Sequence, residues 1–357
     1  MVLVERMNEP DSPLAVSFFE AEGSILREAI CPLRSRPVCS RRTSPDSLSH
    51  GGSACNCPST PLEGRFSGCK VGALDPKIQM RSLSHWLSSH QLAAFFALTF
   101  LISWAVFIPA QLLWGEPGEV HALSLVGGFG PFVSAIIVTS AAGKGSLLRW
   151  LRRIFAWRIG LIWLVAGWVL MPVAVGLLDQ GLYLLLGGEA ASGETTLLGY
   201  IIVVPIAALF LGGNEEPGWR GFALPAMLEK QHPAVASVVL GMIWSAWHLP
   251  LLTLPSDSGA APHIGWFSVS VVGLSIIMTW LYSKSKMSVI PVMLFHQGTN
   301  LIGNLFEHPT DVLPGGEDWQ IIRGIVYWTV ALGLLLWTKG RLGFSTSEAR
   351  HLSSPSS

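Results

Sequence analysis

Eight apolar runs, near residues 92–114, 122–141, 159–186, 197–213, 234–254, 264–283, 287–306 and 321–338, constrain this chain more than any other feature of its sequence. The hydrocarbon core of a bilayer takes about 20 apolar residues per helix. A single segment crossing it must satisfy its own backbone groups, which means a helix. The predicted fold is therefore all-α: a polytopic membrane bundle of about eight transmembrane helices. Composition agrees, since half of the 357 residues are apolar and 13% are charged, against roughly one-quarter charged in soluble domains. Basic and acidic residues balance at 23 each, and nothing in their placement supports nucleic-acid binding.

The charges test the run count, because positive residues collect in the inner loops of a polytopic protein. Lys144, Arg149, Arg152, Arg153 and Arg158 follow the second run, Arg220 and Lys230 the fourth, Lys284 and Lys286 the sixth, and Lys339 and Arg341 the eighth. The alternate loops carry Glu116 and Glu119, then Glu189 and Glu194, then Asp257, then Glu307, Asp311, Glu317 and Asp318, with Arg323 the one dissenter. This alternation puts both termini in the cytoplasm, with a bacterial plasma membrane as the expected location and the lipid bilayer as partner. Residues 146–158 read as a basic amphipathic helix on the inner surface.

Residues 1–79 are rich in Ser, Pro, Arg and Gly, have no sustained period and lack the pattern of a signal peptide. They contain all five cysteines (Cys31, Cys39, Cys55, Cys57 and Cys69) without the paired spacing of a zinc knuckle. Met80, followed by Arg81 and then the first apolar run, is a candidate natural start. The predicted organisation is a disordered or spurious extension over 1–79, a transmembrane domain over 80–342 with its motif core at about 190–310, and a flexible tail over 343–357.

Of ten histidines, only His248 and His296 sit well inside apolar runs, where an unpartnered polar group costs several kcal/mol. Glu215 and Glu216 end the fourth run in the string Asn214-Glu215-Glu216-Pro217-Gly218-Trp219-Arg220. Adjacent carboxylates beside lipid repel each other unless an arginine is near, and Arg220 reaches Glu216 if the chain stays helical through Pro217 and Gly218. A spacing of four puts Trp244 and His248 on one helix face, and the same spacing pairs His296 with Asn300. These groups suit amide hydrolysis. The assignment is Glu215 as base, His248 as its partner in orienting water or protonating the leaving amine, and His296 with Asn300 as oxyanion cradle.

The order Glu-Glu-x-x-x-Arg, aromatic-x-x-x-His, His-x-x-x-Asn on successive apolar runs resembles the CPBP family of intramembrane proteases, which takes in CAAX prenyl endopeptidases and Abi-type bacteriocin-immunity proteins. The resemblance implies an intramembrane endopeptidase acting on a membrane protein or peptide, with Glu215 catalytic, Glu216 and Arg220 supporting it, and His248, His296 and Asn300 completing the site. Trp244 stands where the family usually has Phe. A zinc ion on Glu215, His248 and His296 is the metallo version of this reading. A glutamate-activated water with no cofactor is the version the residues favour, since no His-Glu-x-x-His string is present and Asn300 is a poor zinc ligand. In a bacterial setting prenylated substrates are not expected.

Two other functions compete. A silent relative, an immunity or scaffold protein, would have lost a motif residue, and none is missing. An ion-coupled transporter would show half-to-half symmetry or paired broken helices, and neither is visible. Asp179 and Gln180 read as interfacial, and Trp244 with Trp247 as packing. Depth along the helices poses a problem: counting rise puts Glu215 near the inner face, His296 near the middle and His248 beyond it. Convergence requires the fourth run to reach deeper or start later, or the fifth to begin nearer Ala236 with a tilt.

Overall fold

Every apolar run of the sequence contains a helix. The computed structural model describes residues 90–113, 123, 125–155, 159–252, 264–313 and 318–345, all within the compact unit Val71–Ser357. The expectations for residues 1–79, for Arg158, Glu116, Glu119, Asp257 and Glu317, and for the tail beyond 345 lie outside the described residues.

The main helices are α1 (Gln91–Leu113), α2 (Gly130–Ala141), α3 (Ser146–Ile154), α4 (Leu161–Leu185), α5 (Leu197–Ala207), α6 (Pro233–Trp247), α7 (Ile264–Lys284), α8 (Ile290–Leu301) and α9 (Asp318–Trp337). The β structure among the described residues is one short antiparallel pair, Ala191–Ser192 with Phe306–Glu307. Among the described residues four helices are long and apolar enough to cross a membrane: Gln91–Ala110, Leu161–Leu185, Ile264–Lys284 and Trp319–Trp337. The others are shorter, α8 having 12 residues.

α7 is the centre of the bundle. In its apolar stretch 56% of residues are buried, against 28% to 33% in the other three long helices, which turn side chains such as Leu101, Leu161, Leu178 and Leu336 outward. A helix apolar all round is a core element or a membrane span; α7 is inside, and the others present an apolar surface suited to lipid. α6 and α9 pack on either side of α7, α1 packs on α2, and α8 lies between α5 and the π-helical turn Ala166–Leu170 of α4. That turn precedes Pro172, whose missing N–H and ring disfavour a regular helix there.

Two departures from the predicted course position the site. α5 ends at Ala207, earlier than the apolar run suggested, and the chain turns at Gly212, whose φ is 77°. Residues 213–228, predicted in part as an inner loop, then form a buried helical segment of mixed pitch: a 3-10 turn (Gly213–Glu215), a short α piece (Glu216–Gly218), a π turn (Trp219–Ala223) and a final α turn (Leu224–Leu228). Gly218 lets this segment approach α2 closely, since a Cβ there would meet the carbonyl of Pro131 at 2.5 Å. α3 roofs it through buried Trp150 and Ile154, while Arg149, Arg152 and Arg153 stay exposed, as an amphipathic helix requires.

Candidate active site

The segment 213–228 is helical enough to set the spacing of its side chains. Glu215 with Trp219 and Glu216 with Arg220 are both four apart, and each pair bonds internally: Trp219 Nε1 donates to Glu215 Oε2 at 3.2 Å and Arg220 Nη1 to Glu216 Oε1 at 3.0 Å. The two carboxylates therefore point into different surroundings. Glu215 Oε2 also accepts from Trp244 Nε1 of α6 at 2.8 Å. Glu216 Oε1 also accepts from His296 Nδ1 of α8 at 2.9 Å.

Glu216 and Arg220 are completely buried. Two such charges are tolerable only when paired and hydrogen-bonded. Arg220 Nη2 donates to Ser275 Oγ at 3.1 Å, Ser275 Oγ donates to the carbonyl of Ser237 at 2.9 Å, and the guanidinium lies 4.8 Å from the centre of the Trp244 ring. One arginine thus ties the motif segment to α6 and α7. Its use as a positive charge of an inner loop is corrected by this burial; of that pair only Lys230 is exposed.

The ring nitrogens of both histidines are sorted by their partners. His248 Nδ1 lies 2.8 Å from the carbonyl of Trp244, which can only accept, so Nδ1 carries the proton and Nε2 a lone pair. His296 Nδ1 donates to Glu216, which leaves its Nε2 facing Gly212: a Cβ on that glycine would lie 3.2 Å from His296 Nε2 and 2.5 Å from Asn300 Nδ2. The absence of a side chain at Gly212 keeps the His296/Asn300 pair open. The rings of Trp244 and His296 meet edge to face at 5.0 Å, and those of Trp244 and His248 are tilted against each other at 5.7 Å.

Glu215, His248, His296 and Asn300 border one cavity of about 320 Å3. Glu215 and His248 also border a second, of about 350 Å3, otherwise walled mainly by apolar side chains including Phe107, Leu125 and Phe210. These two residues therefore stand where an apolar and a more polar chamber meet. The early end of α5 and the turn at Gly212 resolve the depth problem, because they carry Glu215 into the bundle to the level of Trp244 and His296.

The donor set of the possible zinc site does not fit a metal in this arrangement. Among the described residues no three His, Cys, Asp or Glu side chains come together closely enough to hold an ion, and Glu215 Oε2 is already committed to two indole N–H groups.

Other corrections concern residues read as bystanders. Trp244 donates directly to Glu215, so it is more than packing. Asp179 and Gln180, expected at the membrane interface, are buried within the protein, with Asp179 Oδ2 3.5 Å from His308 Nε2 and 3.9 Å from Arg323 Nη2. Arg323 lies within α9 and borders the polar cavity. Sequence reasoning also missed Trp219 and Asn214. The spacing that paired Glu216 with Arg220 also pairs Glu215 with Trp219, and could have found the first. Asn214 is buried against the apolar chamber with no hydrogen-bond partner for either side-chain atom among the described residues, and no periodicity marks it.

Comparison with known proteins adds two findings. Residues 196–302 match the family model described as "Type II CAAX prenyl endopeptidase Rce1-like". The chain is also 27% identical over 264 residues to "CAAX prenyl protease 2" of Methanococcus maripaludis, an alignment covering 69% of this chain and 93% of the relative. The matched region contains Glu215, Glu216, Arg220, His248, His296 and Asn300.

Proposed function

We propose that the chain is an intramembrane protease of the CPBP family and that it hydrolyses a peptide bond of a membrane-associated protein or peptide with a water activated by Glu215. The observation that carries this reading is the shared cavity of Glu215, His248, His296 and Asn300, with Glu216 and Arg220 held behind them. Glu215 Oε1, the oxygen not engaged by the two tryptophans, takes a proton from water as the oxygen attacks the scissile carbonyl. His248 Nε2, with its lone pair, orients that water. The developing oxyanion is held by Asn300 Nδ2 and by His296 Nε2, which donates when the ring is an imidazolium balanced by Glu216. The proton taken by Glu215 passes to the leaving amine as the C–N bond breaks. Indole N–H groups fix Glu215 before substrate arrives, and positioning of this kind lowers the barrier.

The names of the matched family and relative favour lipidated C-terminal peptides as the first substrates to try, ahead of the non-prenylated ones expected for a bacterial protein. An integral membrane location with eight crossings and both termini on the cytoplasmic side belongs to the same proposal.

The test is cleavage of membrane-peptide reporters, prenylated and not, by the purified full chain in detergent, comparing wild type with Glu215→Ala, His248→Ala and His296→Ala. Cleavage by wild type that disappears in all three supports the assignment, and cleavage that survives Glu215→Ala sinks it. The metal-free version expects full activity in a chelator; loss that zinc restores would overturn that part alone. Folded but inert protein on every reporter would transfer support to an immunity or scaffold role.

A further inference from the structure

The apolar chamber beside the candidate active site has polar atoms that the proposed chemistry does not use. Asn214 and Trp247 both border it, and each stands immediately before a residue assigned to that chemistry, Glu215 and His248. Asn214 is 4% exposed and Trp247 1%. Yet the side-chain oxygen and nitrogen of Asn214 and the indole nitrogen of Trp247 have no hydrogen-bond partner among the described residues.

Both side chains are held in place by other contacts. The Trp247 ring meets those of Phe107 and Trp219 edge to face at 5.3 and 5.9 Å, and its backbone carbonyl accepts from Trp104 Nε1 at 3.0 Å. Asn214 belongs to the 3-10 turn Gly213–Glu215, so the two indole N–H groups that hold Glu215 Oε2 restrain it as well. No side chain covers it from Gly128, which borders the same chamber and where a Cβ would lie 3.8 Å from Asn214 Nδ2. A buried donor or acceptor without a partner costs stability. The neighbouring walls, Phe107, Leu125, Phe210, Leu211 and Leu251, have no side-chain polar atom to offer one.

Three unpaired groups in an otherwise apolar chamber select their ligand. The side chain of Asn214 is itself an amide, whose NH2 donates and whose oxygen accepts; the counterparts are the C=O and N–H of a peptide linkage. The indole of Trp247 only donates, which suits a second carbonyl. A hydrocarbon chain filling the chamber would leave all three unpaired. The spacing is also that of a polypeptide, since consecutive Cα atoms lie about 3.8 Å apart and the residues before Glu215 and His248 are one such step from the groups that act on the bond. We propose that Asn214 and Trp247 form a subsite that reads the substrate's main chain: the Asn214 amide pairs with the peptide linkage next to the one that is cut, and Trp247 Nε1 donates to a further carbonyl of the same strand. This rests on the peptidase reading above and adds to it what the chamber binds.

The test replaces single amide linkages of a cleaved reporter by esters, one position at a time and never at the scissile bond, with KM and kcat read separately on the purified full chain. An ester has no N–H and a weaker carbonyl acceptor. A contact made equally in ground and transition states appears in KM, so an ester at one linkage beside the cut should raise KM roughly ten-fold, and esters elsewhere much less. Asn214→Leu keeps the shape of the side chain without its hydrogen bonds; it should raise the KM of the all-amide reporter to that of the ester and abolish the difference between them, the non-additivity of two changes at one contact. Trp247→Phe should raise KM and leave that ester penalty intact. A wild type indifferent to every ester overturns the subsite and leaves the peptidase standing, whether or not the variants fold. A folded Asn214→Leu protein that keeps the full ester penalty overturns it too, as does Asn214→Ser, too short to reach, should the leucine variant not fold. Binding of the labelled peptides to Glu215→Gln separates the two readings: tighter binding of the all-amide peptide than of its ester, with no cleavage of any reporter by wild type, keeps the subsite and sinks the peptidase.

Discussion

Glu215 and Glu216 are adjacent in the chain, but one faces a cavity and two indole N–H groups while the other closes a buried ion pair. Their substitutions should therefore fail in different ways. Glu215→Gln keeps an oxygen that both tryptophans can reach, so its melting point in detergent should fall by no more than the equivalent of about 1 kcal/mol. Its cleavage rate should drop by about 10²- to 10⁴-fold with loss of the base. Glu216→Gln leaves the Arg220 charge buried without its counter-ion and should cost about 3–5 kcal/mol, so the protein should melt or aggregate well before its turnover can be compared. A thermal melt paired with an activity assay on both variants separates the two roles. A Glu216→Gln protein as stable as wild type would mean that Arg220 finds other compensation and that the pair is not what holds the segment.

At the scale of elements, the site depends on where α5 stops. The apolar run continues to 213, and hydropathy alone carries the helix to its end; the structure breaks it at Ala207 and turns at Gly212. No periodicity could show this, because the reason is tertiary: the turn must leave room for Asn300 and His296 on α8. The motif residues were legible because polar groups inside apolar runs stand out, and spacings of four recovered Glu216 with Arg220, Trp244 with His248, and His296 with Asn300. The partner of each was not legible. Trp244, read as a shield for His248, bonds Glu215, and His296 orients on Glu216. Those contacts join helices distant in sequence. The turn yields its own prediction. Gly212→Ala puts a methyl group 2.5 Å from Asn300 Nδ2 at a φ of 77°, where an L residue costs roughly 1–2 kcal/mol. A displacement of about 1 Å in a positioned group can cost roughly 10²-fold in rate, so activity should fall by about that factor while the helical circular dichroism stays unchanged. Normal turnover in Gly212→Ala would show that His296 and Asn300 tolerate displacement and do not act as a fixed cradle.

For the whole molecule, the open matter is how many of the eight apolar segments cross the bilayer, since four helices among the described residues have the length to do so alone. The shorter ones are not excluded by length. After α5 the chain runs through the turn at 208–212 into the helical segment 213–228, and α6 is followed closely by Leu249–Leu252. Bundles in lipid tolerate irregular backbone where protein covers it, and the buried segment around Glu215 and Glu216 is covered in that way. Charge placement makes the even count testable, because that count puts Lys144, Lys284 and Lys339 on one face and Glu189 and Asp311 on the other. All native cysteines precede residue 70, so single cysteines can be introduced at the exposed positions 144, 189, 311 and 339 once the native ones are replaced. A membrane-impermeant thiol reagent applied to sealed vesicles should label Lys144→Cys and Lys339→Cys from one side and Glu189→Cys and Asp311→Cys from the other. Labelling of Lys144→Cys and Glu189→Cys from the same side would show that α4 does not cross, although it is among the longest and most apolar helices of the chain. The eight-crossing reading would fall with it, and with that the cytoplasmic placement of both ends.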